Sequence, residues 1–180
     1  MSSSPTELKE EGLRQFRSGQ YDAALATFSA AATGFASQNE PLNQAEMLNN
    51  IGVIQQLRGE YSAAADALEQ AQTQFAAAGD SHRQAQTLAN LGELHVRRRD
   101  YDQASRCYSD ASAFFAQTDD KAKQADMLWA MSLLRTRQRR WFEAIYLMVD
   151  SLKTRPRRSF FQSLLYAFLN LAVRILGGKP

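Results

Sequence analysis

A forty-residue repeat is the feature of this sequence that most restricts its fold. The same residue types return at this interval in five separate columns. A period of this length predicts an array in which one structural unit is stacked several times. The columns are Tyr21, Tyr61, Tyr101 and Trp141; Ala24, Ala64, Ala104 and Ala144; Phe35, Phe75 and Phe115; Gln44-Ala45, Gln84-Ala85 and Gln124-Ala125; and Gly12, Gly52 and Gly92, with Ser132 in the fourth place.

Each unit of the repeat is predicted to contain two helices. In the second unit, apolar residues at helical spacing predict a first helix over 43–58 and a second over 62–78. Between them, Gly59 is suited to the left-handed backbone that ends a helix. The residues expected on the buried face of the second helix are Ala64, Leu68, Ala71 and Phe75.

A glycine stands in the middle of the first helix, where it costs about 1 kcal/mol relative to alanine. Its return in three units requires a packing reason. Gly52 and Ala64 together leave room for two helix backbones to approach closely. Neither helix can bury its apolar face alone, so the units are expected to stack.

The order of these residues resembles the tetratricopeptide repeat. The resemblance covers about residues 6–156 as four units, and it implies an all-α fold, a right-handed superhelix of four helix pairs. The period exceeds the common 34 residues, so the chain looks more like the longer-period branch found in kinesin light chains and cell-polarity adaptors. The additional residues are expected in the loops between units, such as Ser37–Pro41. The pattern in the second unit is Leu48-x-x-Ile51-Gly52, then Tyr61, Ala64, Leu68 and Ala71.

The predicted domain organisation has two parts. Residues 1–156 form four repeats, at about 5–40, 41–80, 81–120 and 121–156, with Ser4 capping the first helix. Residues 157–180 form a basic linker and an amphipathic helix. Arg99 and Arg139 replace the turn glycine in the third and fourth units, which predicts strained or reshaped turns there.

The resemblance implies that the first helices line a concave groove that binds an extended or helical peptide. Trp129 is the strongest candidate anchor, because aromatic residues dominate binding hot spots. Arg97 and Arg137 could together hold a carboxylate. The alternative is a solvated groove in which Trp129 packs only on its neighbours. One face at helical spacing gives the expected contacts: Phe16, Asn49, Val53, Gln56, Glu93, Arg97, Trp129, Leu133 and Arg137.

Residues 159–176 are the most apolar stretch and predict an amphipathic helix. It could cap the open end of the array, lie on an anionic membrane surface, or pair with a second copy. Only one charge stands on its polar face, which favours the cap. The candidate membrane or partner contacts are Arg155, Arg157, Arg158, Phe160, Phe161, Leu164 and Phe168.

Charge is divided unevenly along the chain. Residues 1–120 have a net charge of −7 and residues 121–180 one of +9. The basic part suits an acidic partner or membrane surface better than nucleic acid, because no aromatic side chains are interleaved with it. The single Cys107 suits the cytoplasm.

No phosphate-binding loop, metal-ligand spacing or catalytic constellation is present, so no cofactor is expected. The sequence therefore predicts a non-catalytic scaffold or adaptor that binds another protein or peptide. The alternatives are a peripheral membrane recruiter and self-association through the final helix.

Overall fold

The computed structural model describes residues 3–175, and every regular element in that range is an α-helix. The predicted all-α repeat fold is confirmed. Each helix packs mainly against the helices before and after it in the chain. Leu176, which the pattern included in the final helix, lies outside the described residues. In order, the helices are α1 (Pro5–Arg17), α2 (Tyr21–Ser37), α3 (Pro41–Leu57), α4 (Tyr61–Ala77), α5 (Ser81–Arg97), α6 (Tyr101–Gln117), α7 (Lys121–Arg137), α8 (Trp141–Thr154) and α9 (Phe160–Ile175).

The long period of the repeat comes from long helices. Helices α2 to α7 contain 17 residues each. Ser37 ends α2 and Pro41 begins α3, so the connection between two units is short. The prediction that the additional residues lie in loops such as Ser37–Pro41 is therefore wrong. They lengthen the helices, because these segments contain no proline that would end the helix earlier.

Capping side chains fix several helix starts. Ser4 accepts a hydrogen bond from the Glu7 backbone at 3.2 Å, and the Glu7 carboxylate accepts one from the Ser4 backbone at 2.8 Å. This capping box confirms the predicted start of α1. Asp80, Asp100 and Asp120 are the N-cap residues of α5, α6 and α7. The side chain of each accepts a hydrogen bond from the backbone amide three residues further along the chain.

The turn inside each unit keeps one residue in the left-handed region. Gly19 and Gly59 have φ of +76° and +79°, and Arg99 and Arg139 have φ of +61° and +60°. The turns without glycine are therefore strained rather than reshaped, at a cost on the order of 1 kcal/mol each. The packing of the two helices imposes the turn even where the residue type does not favour it.

The mid-helix glycines allow the two helices of a unit to touch. A methyl group at Gly52 would lie 2.6 Å from Leu68 Cγ and 3.1 Å from the Ala64 carbonyl oxygen. At Gly92 it would lie 2.5 Å from Tyr108 Cε1. These distances are far inside van der Waals contact, so the predicted close approach is confirmed. The large residue of the second helix fills the space that the glycine leaves.

The hydrophobic core continues along the array, and its clusters join side chains from neighbouring helix pairs. One buried cluster joins Phe28 of α2, Ile54 of α3 and Ala67 of α4. A second joins Leu68 of α4 to Leu94 of α5. Each pair therefore needs its neighbour to cover its apolar side chains. The predicted Ala and Phe columns are buried throughout: Ala24, Ala64, Ala104, Ala144, Phe35, Phe75 and Phe115.

The fourth unit keeps this packing although it departs from the pattern. Ser132 stands in place of the mid-helix glycine, is fully buried, and donates to the Trp129 carbonyl oxygen at 2.6 Å. Ser151 is also buried and donates to the Ala125 carbonyl oxygen of α7 at 2.7 Å. Both hydroxyl groups are satisfied by a backbone carbonyl, so the core tolerates them.

Helix α9 packs on α8 through a narrow contact. Among its described residues only Leu169 and Val173 are buried. At 100° per residue, Val173 lies on the more polar half of the predicted amphipathic helix, together with Gln162, Tyr166 and Asn170. The packed face is therefore rotated away from the apolar half, most of which stays uncovered.

Gly92→Ala is expected to lower the free energy of unfolding by about 1–3 kcal/mol, because the new methyl group overlaps the Tyr108 ring. At a helical glycine without such a neighbour, replacement by alanine would instead raise the free energy of unfolding, by up to about 1 kcal/mol. Denaturant unfolding followed by circular dichroism measures the difference.

The control is the same substitution in a Tyr108→Ala background, where the space opposite Gly92 is empty. There the added methyl group should stabilise the protein, since only its helix propensity remains. An equal loss of stability in both backgrounds would show that the contact is not the cause.

Candidate functional site

The first helices of successive units lie side by side. The Lys9 ammonium group of α1 is 2.8 Å from the Glu46 carboxylate of α3, and Arg83 of α5 is 3.9 Å from the same carboxylate. Asn90 Nδ2 of α5 donates to Asn49 Oδ1 of α3 at 2.9 Å. We call the surface formed by α1, α3, α5 and α7 the first-helix face. It is the surface that the sequence analysis assigned to the groove.

A hollow of about 310 Å³ opens on the first-helix face between α3, α5 and α7. We call it the central hollow. Side-chain amides, a lysine, an aspartate and apolar groups all border it. Because three units share it, a molecule bound there would contact several repeats at once. The lining residues are Asn49, Gln86, Ala89, Asn90, Phe115, Lys123, Asp126 and Met127.

The amides of the central hollow keep hydrogen-bonding capacity. Each primary amide carries one acceptor oxygen and two N–H donors. The bond between Asn90 and Asn49 does not use the Asn90 oxygen or the Asn49 nitrogen. Gln86 Nε2 lies 3.1 Å from His82 Nδ1 on the same helix. This arrangement can match a peptide group, which offers one N–H and one carbonyl oxygen.

The charged groups of the central hollow are already paired. Lys123 Nζ lies 3.7 Å from Asp120, and His82 Nε2 lies 3.3 Å from the same carboxylate. A hydrogen bond from the Lys123 backbone amide, with a further one from His82, lowers the pKa of Asp120, so it is ionised at neutral pH. Asp126 is paired with Arg155 at 2.5 Å. The hollow therefore suits a polar, uncharged group better than an isolated ion.

The predicted contacts on α3 and α1 differ in their accessibility. Asn49 borders the central hollow, and Val53 is half-buried one turn further on. Phe16 is half-buried, with its ring 5.8 Å from that of Tyr21, and packs against the core of the first pair. Gln56 is only 6% exposed. It is not available to a guest, because neighbouring helices cover it.

The accessible stripe is rotated about the helix axis relative to the predicted one. Gln56 marks the edge of the predicted stripe at about 100° per residue, and that edge is buried. Asn90 and Lys123 lie beyond the opposite edge and border the central hollow. The predicted contacts do not include these two residues, because the same face was assumed for every first helix. The side-chain amide of Asn90, which lies next to the predicted face of α5, was the available signal.

The predicted charged contacts lie together at the other end of the first helices. Arg97 Nε is 3.3 Å from Glu93 Oε1, and the Tyr108 hydroxyl donates to Glu93 at 3.4 Å. Burial and then Glu93 raise the pKa of Tyr108, while the positive charge of Arg137 acts in the opposite direction. Arg97 is thus paired with a carboxylate of the protein itself, and Arg137 lies near the tyrosine that donates to the same carboxylate. An acidic guest would compete with Glu93 for them.

Trp129 borders a different hollow, of about 240 Å³, where the array meets the last helix. We call it the tail hollow; Leu152 of α8 and Leu165 of α9 also line it. Trp129 is half-buried there and does not border the central hollow. Leu133, one turn further along α7, is 43% exposed. The structure therefore separates the aromatic anchor from the amide cluster along the first-helix face.

The predicted contacts of the tail are mostly exposed. Arg155 is the exception, because it is partly buried in its ion pair with Asp126. Arg158 lies over the Tyr166 ring, 4.5 Å from its centre. The remaining predicted residues are exposed to solvent: Arg157, Phe160, Phe161, Leu164 and Phe168.

Residues 3–175 contain neither a cluster of metal-binding side chains nor a membrane-spanning helix. In that range no three His, Cys, Asp or Glu side chains are grouped so that they could hold a metal ion. No helix in the same range combines the length and apolar character needed to cross a bilayer.

The family resemblance is confirmed by comparison with known proteins. Residues 44–117 match the family model of the tetratricopeptide repeat. The matched segment covers nearly all of α3 to α6. Repeats of this family typically form non-catalytic scaffolds that bind other proteins or peptides.

Solved structures contain the same fold over a longer part of the chain. The crystal structure of BtubC (BKLC) from P. vanneervenii matches with a TM-score of 0.77 and 18% sequence identity. The match covers 86% of this chain and 68% of that one. BtubC is a kinesin light chain-like repeat protein, so the likeness to longer-period repeats is confirmed for the fold. No curated protein matches the sequence.

Cys107 is packed in the repeat core rather than placed for reaction. It lies against the cluster that contains Leu68 and Leu94. Burial, aided by the negative charge of Asp110, raises the pKa of the Cys107 thiol to about 11. The thiol is therefore protonated at neutral pH and is a poor nucleophile.

Alkylation of Cys107 by iodoacetamide at pH 8 should be about a hundredfold slower in the folded protein than in denaturant, because the raised pKa lowers the thiolate fraction. The folded-state rate should still rise about tenfold per pH unit up to pH 10. Mass spectrometry follows the single cysteine directly. A folded-state rate that levels off near pH 9, as for a thiol of ordinary pKa, would mean that steric shielding and not the raised pKa protects it.

Proposed function

We propose that this protein is a non-catalytic adaptor that holds an extended segment of another polypeptide along the first-helix face. The central hollow is the observation that carries the proposal. Its amides belong to two adjacent repeats and are joined by the bond between Asn90 and Asn49. An extended peptide presents backbone groups at a regular spacing, which suits amides repeated from unit to unit.

The chemistry of the central hollow indicates how the guest backbone is held. The Asn90 oxygen accepts a hydrogen bond from a guest N–H, and the Asn49 nitrogen donates to a guest carbonyl oxygen. Ala89 and Met127 provide an apolar surface for a guest side chain beside these amides. Because the local charges are paired internally, the guest segment over the hollow is uncharged.

Further along the first-helix face, larger side chains contact the guest. Trp129 and Leu133 on α7 contact apolar guest side chains, and Val53 does so on α3. Arg97 and Arg137 bind an acidic guest side chain, which competes with the carboxylate of Glu93. These contacts set the direction of the guest.

The proposal includes the organisation and setting of the chain. Residues 1–156 act as the binding array, and residues 157–180 form a separate tail. The cytoplasm is the proposed location, because a chain with one cysteine has no internal disulfide to maintain.

The test is selection of peptide ligands for the full chain from a random displayed library, followed by calorimetric titration against variants. Asn90→Ala should weaken a selected peptide about tenfold, the size expected for one or two hydrogen bonds. Trp129→Ala should weaken it by roughly thirtyfold or more. Both variants should keep the thermal stability of the wild type within a few degrees.

Gln70→Ala is the matched control, since it removes an exposed amide from α4, outside the first-helix face. Its affinity should equal that of the wild type. The proposal is wrong if the selected peptides bind Asn90→Ala and Trp129→Ala as tightly as the wild type, or if selection against the folded chain yields no ligand.

A further inference from the structure

The outward side of α9 is a continuous apolar surface. Six large apolar side chains there are more than half exposed, from 57% at Leu171 to 79% at Phe161. At helical spacing they cover roughly 100° of the helix circumference. We call this surface the tail face; it consists of Phe160, Phe161, Leu164, Phe168, Leu171 and Ile175.

The packing of α9 against the array leaves the tail face uncovered. Helix α9 packs on α8, and its buried side chains, Leu169 and Val173, lie on another side of the helix. Phe168, Leu171 and Ile175 border an open hollow of about 330 Å³ that has no polar lining. Contiguous apolar surface of this kind marks an interaction site in monomeric proteins.

The charge around the tail face has a single sign. Residues 151–175 contain five basic residues and no acidic one. Asp126 of α7 compensates Arg155. Arg157, in the connection before α9, and Arg174, in its last turn, are exposed at opposite ends of the tail face. An apolar surface with basic residues at both ends is complementary to a negatively charged interface.

We propose that the tail face of α9 binds the surface of an anionic lipid bilayer, with the helix lying in the plane of the interface. The aromatic and aliphatic side chains enter the boundary between headgroups and acyl chains. Arg157 and Arg174 reach lipid phosphate groups with their long side chains. This activity goes beyond peptide binding and does not depend on it.

The single charge on the polar side of α9 is consistent with this mode. Isolated helices at a lipid surface need a charged side that faces water. In this protein, Leu169 and Val173 instead attach that side to α8. Because this side of α9 faces the array and not water, it does not need additional charged residues.

A second copy of the chain is a poorer occupant of the tail face. Pairing two tail faces would bring two basic tails within about a Debye length, 8–10 Å, of each other. Neither tail has an acidic residue between 151 and 175 that could compensate the repulsion. A bilayer that contains anionic lipid supplies both the apolar environment and the opposite charge.

The test is co-sedimentation of the full chain with vesicles of phosphatidylcholine, with and without phosphatidylserine. The wild type should bind the anionic vesicles, and its partition coefficient should fall by at least tenfold on neutral vesicles. Phe161→Glu should lower binding on the order of a hundredfold, because it places a carboxylate in the tail face. Arg157→Gln with Arg174→Gln should lower it by roughly thirtyfold.

Ser163→Glu is the matched control, because it adds the same charge to an exposed position of α9 outside the tail face. It should lower binding only about fivefold. Asn90→Ala should bind vesicles as the wild type does, which keeps this result separate from the peptide-binding proposal.

Three results would overturn the proposal. The first is a wild type that does not bind the anionic vesicles. The second is equal binding by Phe161→Glu and Ser163→Glu. The third is a dimer in sedimentation equilibrium without lipid that Phe161→Glu dissociates, because a second copy would then occupy the tail face.

Discussion

The contact between a small residue in the first helix and a large residue in the second sets the geometry of every unit. At Gly52 even one methyl group would collide with Leu68, so the two helices are held at their closest approach. That approach leaves the outer apolar residues of each helix, such as Ile54 and Ala67, to be covered by the neighbouring unit, here by Phe28 of the preceding pair. Stacking is therefore a condition for folding, and it explains why the clusters of the core cross from pair to pair.

Stacking in register also creates the first-helix face. Nearly equivalent positions of successive first helices become neighbours, as the bond from Asn90 to Asn49, 41 residues apart, shows. A guest lying across them would meet one residue of each unit, so the residues that vary between repeats determine what is bound. The same periodic sequence thus repeats the packing residues in each unit and varies the surface residues between units. The tail adds a surface of a different kind, apolar and flanked by basic residues.

The periodic part of the fold could be predicted from the sequence because each column records one repeated contact. Helix pairs, buried alanines and phenylalanines, and the turn at Gly59 all follow from such columns. The predicted bounds of the second unit, 43–58 and 62–78, lie within two residues of α3 and α4. The additional residues of the repeat were nevertheless assigned to the loops, because a period of forty residues does not by itself say whether loops or helices are longer. The position of the accessible stripe depends on small rotations of each helix. This is why Gln56 is buried while Asn90, outside the predicted set, borders the central hollow.

The dependence of each pair on its neighbour can be measured directly by comparing the isolated segment 41–80 with the segment 41–120. Circular dichroism should show a largely unfolded single pair, because it lacks the covering unit and most helical stability comes from tertiary packing of the apolar face. The double unit should be distinctly more helical per residue and unfold cooperatively. A single pair that is as helical and as cooperative as the double unit would contradict the account, since stacking would then not be required for the fold.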